Sequence, residues 1–276
     1  MTSAEEFQAE IIRRYDAPMY RAMLEVYGDQ IHPGFLREGD DDIREAALRA
    51  TMRLAELAQV KPGARVLETA CGVGGTARYL AAARGAEVVA TNISRSQLEI
   101  GEEWTRNTAG ATKIRYEFAD FHELPYADAS FDVYWCQDAL LFSSDRPRAL
   151  AEAARVVKPG GTIAISDLTV VGTPASTAAA LLREISAPGF WSIEDYRAGL
   201  ATAGFGNIVS EDWTPHVLPS FDCITAAIVA KRVRLAAIAS DADVAETLER
   251  YALWCQASRT GNLGWGALVG TRRAGK

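Results

Sequence analysis

Apolar residues recur at helical spacing near the start of the chain. Ile11, Ile12, Tyr15, Met19, Tyr20, Met23, Leu24 and Tyr27 form one stripe, which predicts one or two helices over 5–27. Gly and Pro mark a loop over Tyr27–Phe35, and Leu36–Asp42 is acidic and expected to be exposed. A helix should follow from about Asp42 to Gln59, with Ala46, Leu48, Met52, Leu54 and Leu57 on its buried side. From Lys61 the pattern changes to short apolar runs alternating with helical stretches. Strands are predicted at 65–68, 87–92, 113–118, 131–135 and 162–166, and helices at 76–84, 94–108 and 146–157. Ser94 and Gln97 form a capping-box signature, and Lys158-Pro159-Gly160-Gly161 ends the third of these helices. Beyond strand five the spacing predicts helices at 173–187 and 192–203, a strand at 206–214, helices at 221–239 and 244–258, and a last strand at 265–271.

Repeated β-α-β units define an α/β fold with a parallel sheet, helices on both faces and right-handed crossovers. Ligands bind such sheets at the carboxyl ends of the strands, where strand order reverses. There are no internal repeats or evident linkers, so one domain with a helical cap is expected. Within it, residues 1–60 form an N-terminal helical lid. Residues 61–171 form the nucleotide-binding core. Residues 172–276 complete the sheet and add helical insertions on the acceptor side.

The 276 residues carry a net charge of −7 with 49% apolar residues, which suits an ordinary globular core. An acidic chain without a Lys/Arg cluster argues against a nucleic-acid partner. No apolar run has the length of a membrane span, and the polar, acidic N-terminus is unlike a secretory signal. Cys71, Cys136, Cys223 and Cys255 are scattered without zinc spacing, so the expectation is a cytoplasmic protein with no metal and no disulfide framework.

The chemistry concentrates between Val66 and Leu80. A strand ends in Glu68, a loop carries Gly72, Gly74 and Gly75, and a helix begins at Thr76. Glycines let backbone approach a ligand closely, and a helix N-terminus offers free N–H groups. Gly72-x-Gly74-x-x-Ala77 also fits a dinucleotide fingerprint. A nicotinamide site, however, needs a carboxylate about 20 residues on, and that strand ends in Thr91-Asn92. A carboxylate before the glycines repels a pyrophosphate but suits an α-amino group. A ligand with an amino acid at one end and a nucleoside at the other fits better, which points to S-adenosylmethionine.

With these segments in place, the chain resembles the class I S-adenosylmethionine-dependent methyltransferases over roughly 61–271. It looks most like the sarcosine/dimethylglycine N-methyltransferase branch, and more loosely like sugar, tocopherol and cyclopropane-type enzymes. The resemblance is carried by Gly28–Gly34, Glu68–Gly75, Thr91–Ser94, Trp135–Asp138 and Gly261–Gly266. It implies a Rossmann-like sheet, mostly parallel, with an antiparallel last strand. The family usually carries Asp-x-Gly-Cys-Gly where this chain has Glu68-Thr-Ala-Cys-Gly72. The branch often places a His where this chain has Phe142.

The resemblance assigns Glu68, Ala70, Gly72 and Gly74 to the methionine and ribose end of the cofactor. Asn92, Ile93 and Gln97 should border ribose and adenine. Asp120 and Phe121 should meet adenine, with a carboxylate accepting from its exocyclic amine. Gln137 and Asp138 follow strand four, where donor and acceptor meet. Asp167, Asp138 and His32 are the candidate bases or charge partners. The competing readings are helix caps for Gln137 and Asp138, a loop cap for Asp167 and a satisfied structural histidine for His32. His122 and His216 show no partner pattern. Tyr15, Tyr20, Phe142, Trp191 and Tyr196 are expected to line the acceptor pocket, and Trp213 is a further aromatic candidate.

The expected function is methylation of a small metabolite, with an amine nitrogen as leading acceptor. C- or O-methylation in secondary metabolism, for example of a prenyl or indole compound, is the alternative. An NAD(P)-dependent oxidoreductase and a non-catalytic S-adenosylmethionine-binding protein stand further off. The expected assembly is a monomer or homodimer with a small-molecule acceptor.

Overall fold

The computed structural model describes residues 4–37, 39, 42–185 and 189–274. The N-terminal stripe forms two helices, α1 (Ala4–Asp16) and α2 (Pro18–Tyr27). Pro18 causes the break. It disfavours helical backbone at Ala17, which is extended, and then starts α2 as its first residue. The expected acidic stretch over Leu36–Asp42 lies partly outside the described residues.

Helix α3 (Ile43–Leu57) is capped by Asp42, whose side chain accepts from Arg44 N. Its buried stripe differs from expectation. Ile43, Ala46, Ala47, Ala50, Leu54 and Ala55 are buried, whereas Leu48 and Met52 are 36% and 39% exposed. The small alanines, not the large side chains, form the face that allows close packing on the sheet.

The sheet has seven strands in the order β3-β2-β1-β4-β5-β7-β6. They are β1 (Arg65–Thr69), β2 (Glu87–Asn92), β3 (Ile114–Phe118), β4 (Phe131–Gln137), β5 (Val157–Val170), β6 (Phe205–Asp212) and β7 (Leu263–Arg272). β1 to β5 pair in parallel, and β7 runs antiparallel to both β5 and β6. The connecting helices are α4 (Gly75–Ala83), α5 (Arg95–Thr105), α6 (Arg146–Val156), α7 (Ser176–Ile185) and α8 (Ile193–Thr202). The last insertion is α9 (Val217–Ala230), α10 (Arg232–Ile238) and α11 (Asp241–Arg259).

Several boundaries and one cap differ from the sequence reading. β5 begins at Val157, directly after α6, so Lys158–Gly161 lies inside the strand at a register shift rather than in a turn. The stretch 221–239 is two helices, because the chain leaves helical geometry at Lys231. Ser94 does cap α5 by accepting from Gln97 N, but the Gln97 side chain turns away to Asn92, so no capping box closes. Ala187, expected to end α7, lies outside the described residues.

The sheet carries core on both faces. Along β4, Val133 and Trp135 pack on one side with α3 and α9 residues, and Tyr134 and Cys136 pack on the other with Leu150 and Tyr196. Strand order reverses between β1 and β4, so their carboxyl ends open a crevice at Ala70 and Asp138. α1 reaches mainly α2 and α5 over that crevice, while α3 packs on β5, α4 and α9. No helix among the described residues is long and apolar enough to cross a membrane.

Candidate active site

The glycine loop leaves β1 through left-handed backbone at Ala70 (φ 54°), Gly72 (φ 56°) and Gly74 (φ 78°). The conformation costs a residue with a Cβ about 1–2 kcal/mol, so Ala70 is held under strain. Gly72 lines the crevice, and a Cβ there would meet only the Tyr20 hydroxyl at 3.7 Å. Gly74, expected to touch the cofactor, does not line the crevice. A Cβ there would sit 1.8 Å from the Tyr116 hydroxyl, so Gly74 serves the approach of α4 to β3.

Glu68 is 3% exposed, and its Oε2 has no hydrogen-bond partner among the described residues. Burial pushes its pKa up to about 8, against the Arg78 charge and the Ala77 amide. It borders a small space with Asp29, Gln30, His32, Thr76 and Gln137. Gln137 Nε2 is buried there and equally unpartnered. An unpaired carboxylate oxygen and an unpaired amide N–H at the same end of the crevice fit the ammonium and carboxylate of a methionine moiety.

Asn92, at the end of β2, shapes the next stretch of wall. Its Oδ1 accepts from Ser94 N at 3.1 Å, and its Nδ2 donates to Gln97 Oε1 at 2.8 Å. Ile93 and Gln97 line the crevice beside it. Beyond β3, Asp120 Oδ1 accepts from His122 N and lies 2.8 Å from the ring Nδ1. The His122 Nε2 lies 2.8 Å from Ser143 Oγ. Burial raises the Asp120 pKa, but the His122 and Gln8 hydrogen bonds outweigh it and hold it below the usual range. His122 therefore has partners that spacing did not reveal.

The crevice so formed measures about 860 Å³ including its mouth, and Phe7, Gln8 and Ile11 of α1 close it. A second cavity of about 500 Å³, or about 1680 Å³ including its open mouth, adjoins it, walled by α1, α2, α9 and α11. Tyr15, Tyr20, Ile31, Asp138 and Phe142 line both and form the neck between them. Tyr15 packs edge-on against Tyr20 and Phe142, with ring centres 5.3 and 6.1 Å apart. The larger cavity is mainly apolar and aromatic, with Met23, Leu141, Leu168, Phe221 and Trp254 in its wall. The Tyr27 and Tyr251 hydroxyls lie 2.6 Å apart inside it, and Glu10, Arg13, Arg14, Glu246 and Arg250 also line it.

Asp138 is the one carboxylate in the neck among the described residues. Its backbone is left-handed (φ 54°), and its amide donates to Ser166 O at 2.8 Å. Burial pushes its pKa up to about 7, opposed by hydrogen bonds from Trp265 and Ser166.

The remaining candidates lie elsewhere. Asp167 is fully buried; its Oδ2 accepts from the Tyr196 hydroxyl and its Oδ1 from Leu168 N, and it lines neither cavity. Tyr196 and Trp191 pack edge to face in the core under β5 and are not pocket walls. Trp213 is buried against Trp265. In each case the apolar surroundings recruited the aromatic ring into the core. His32 borders the larger cavity, but its Nδ1 contacts Pro33 O at 2.8 Å and its Nε2 contacts Gln30 at 3.0 Å. Burial lowers its pKa to about 4, which makes it a weak base and a neutral hub joining Gln30 and Thr51. Sequence spacing missed Phe7, Gln8, Ile31, Tyr27 and Tyr251. The α1 and α2 stripe was the available signal, since it exposed more apolar surface than a solvent-facing helix needs.

Residues 67–165 match the family described as methyltransferase domain. The chain is 34% identical over 238 residues to Methyltransferase GfsG of Streptomyces halstedii, covering 81% of this chain and 84% of that one. It is 33% identical over 217 residues to the 27-O-demethylrifamycin SV methyltransferase of Amycolatopsis mediterranei, covering 77% and 79%. Among solved structures, one described as a sarcosine dimethylglycine methyltransferase from Galdieria sulphuraria superposes with a TM-score of 0.86 at 27% identity, covering 94% and 98%. With the strand order, the glycine loop and the unpartnered Oε2 of Glu68, these likenesses show that the chain belongs to the class I S-adenosylmethionine-dependent methyltransferases.

Proposed function

We propose that this enzyme methylates an oxygen of a bulky, mainly apolar metabolite, with Asp138 as general base. The observation that carries this is the cavity of about 500 Å³ beyond the neck. That lies within the roughly 300–1,000 Å³ that suits a drug-sized ligand, and a small amino acid would leave most of it empty. The likeness to the Amycolatopsis enzyme, which by its name methylates 27-O-demethylrifamycin SV, supports the oxygen reading.

When bound, S-adenosylmethionine supplies a methyl group already activated on a sulfonium. Glu68 and Gln137 would hold its amino-acid end, and Asp120 and Phe121 would border its adenine. α1 shuts water out of the crevice, which strengthens the local field. The Tyr15, Tyr20 and Phe142 rings narrow the neck and so would restrict how the acceptor oxygen enters it. Asp138 then takes the hydroxyl proton. The three-part division of the chain serves this: residues 1–60 cover, 61–171 bind the cofactor and 172–276 wall the acceptor. The setting is a cytoplasmic monomer or homodimer.

N-methylation of an amine is the second reading, favoured by the likeness to the Galdieria fold and by the aromatic neck. Ring faces stabilise a methylated cation by roughly 0.5–2 kcal/mol. A mass-shift screen decides between them. The purified enzyme and donor are incubated with hydroxylated macrolactones, phenols, sarcosine and dimethylglycine. Turnover of the bulky hydroxyl compounds is expected. Turnover of sarcosine alone sinks the oxygen reading.

A further inference from the structure

Asp138, just after β4, is held by side chains of β5 and β7. Trp265, on β7, donates its indole N–H to Asp138 Oδ1 at 2.7 Å. Ser166, on β5, donates its hydroxyl to Asp138 Oδ2 at 3.0 Å. The Asp138 amide returns to Ser166 O at 2.8 Å. Both donors are buried, Trp265 at 0% and Ser166 at 1% exposure. Trp265 is itself fixed by ring contacts with Phe35 and Trp213 and by its register opposite Leu168. Each carboxylate oxygen thus keeps one committed lone pair and one free for the neck.

We propose that Trp265 and Ser166 are positioning residues: together they fix the direction of the Asp138 carboxylate and set the pH at which it is ionised. The proposal rests on the reading of Asp138 as the base. The groups facing Asp138 are few. Asp167 on β5, Cys136 on β4 and Tyr27 on α2 feel its charge. Tyr15, Tyr20 and His32 share its cavity wall. No Lys or Arg among the described residues is hydrogen-bonded to it, so these two neutral donors are what favours its ionised form against burial. Trp265 serves this purpose well because an indole N–H only donates and never accepts.

The test is a titration of Asp138 in the full chain. Protein labelled with carboxyl-13C aspartate is followed by NMR, and the Asp138→Asn spectrum assigns the resonance. Wild type should titrate near neutral pH. Trp265→Phe, which keeps the ring packing, and Ser166→Ala should each raise the midpoint by roughly one pH unit, since each removes a donor to the ionised form. Affinity for S-adenosylhomocysteine should stay within about twofold in both. If Trp265→Phe fails to bind it, Ser166→Ala decides alone. Midpoints that do not move in a variant that still binds overturn the proposal. Once an acceptor is in hand, the acid limb of kcat should move by the same amount with KM unchanged. If Asp138→Asn leaves turnover intact, the base reading fails, while the titration still shows whether the two donors control the carboxylate.

Discussion

Gln8 on α1 donates through Nε2 to Asp120 Oδ2 at 2.6 Å, tying the first helix to the loop after β3 across 112 residues. At its other end α1 is tied by Asp16, which accepts from the Ser94 and Ser96 hydroxyls at 2.6 Å each. These bonds latch α1 over the crevice, and the break at Ala17-Pro18 separates it from α2. Gln8→Ala should weaken S-adenosylhomocysteine binding about fivefold, equivalent to about 1 kcal/mol, chiefly by faster release. Stopped-flow dissociation checks this; an unchanged off-rate removes the latch.

Glu68 predicts a pH-dependent affinity. Its pKa lies near 8, so much of the free protein carries it protonated at neutral pH. An ammonium ligand favours the ionised form, so cofactor affinity should rise with pH toward 8. Glu68→Gln should lose more than about tenfold in affinity and lose that rise. Stability runs the opposite way. A folded pKa above the unfolded value of 4.5 gives stability that is full below 4.5 and is lost as pH rises through about 8. Without cofactor, Glu68→Gln should therefore gain in Tm over wild type at pH 8, and the gap should close toward pH 4. Calorimetry and thermal melts at both pH values test the two halves separately.

Gly74→Ala should act on stability before function. The new Cβ meets Tyr116 and adopts φ 78°, so a loss of about 2–4 kcal/mol is expected. Adding Tyr116→Ala should recover the packing part but not the backbone part. A double-mutant cycle in urea with zero coupling would show that the contact is not the cause.

Asp138 and Asp167 should separate cleanly. Asp138→Asn should lower kcat by about 10²–10⁴-fold and remove a rise in rate centred near pH 7, because the base works only when ionised. Asp167→Asn should leave kcat within about threefold and lower Tm instead, since its partner is the buried Tyr196 hydroxyl. Rate profiles with the acceptor found by the screen check both, and equal kcat losses in the two variants contradict the assignment.

Local pattern makes much of this protein legible in its amino-acid sequence. Alternating β and α periods define the parallel sheet, because each strand and helix must bury one side. Glu68 before Gly72 marks the cofactor end, because a carboxylate, a tight loop and a helix start are consecutive in sequence. The same holds for Asn92, Asp120 and Asp138, each at the end of its own strand.

What the tertiary structure alone decided are relations between distant segments. Large residues in sequence do not announce which side they face. Leu48 and Met52 point to solvent because Ala46, Ala50 and Leu54 pack closest to the sheet. Trp191 and Tyr196 look like pocket aromatics but fill the core, whereas Tyr27 and Tyr251, 224 residues apart, meet in the wall of the larger cavity. Asp167 and Asp138 look alike in sequence, both carboxylates at the ends of predicted strands, although β5 in fact runs on past Asp167 to Val170. The alternation of side chains and the antiparallel return of β7 place Tyr196 beside one and Trp265 beside the other. Which carboxylate faces the neck is thus set by long-range packing, because a side chain's environment is built by whatever the fold folds against it, and no local pattern encodes that neighbour.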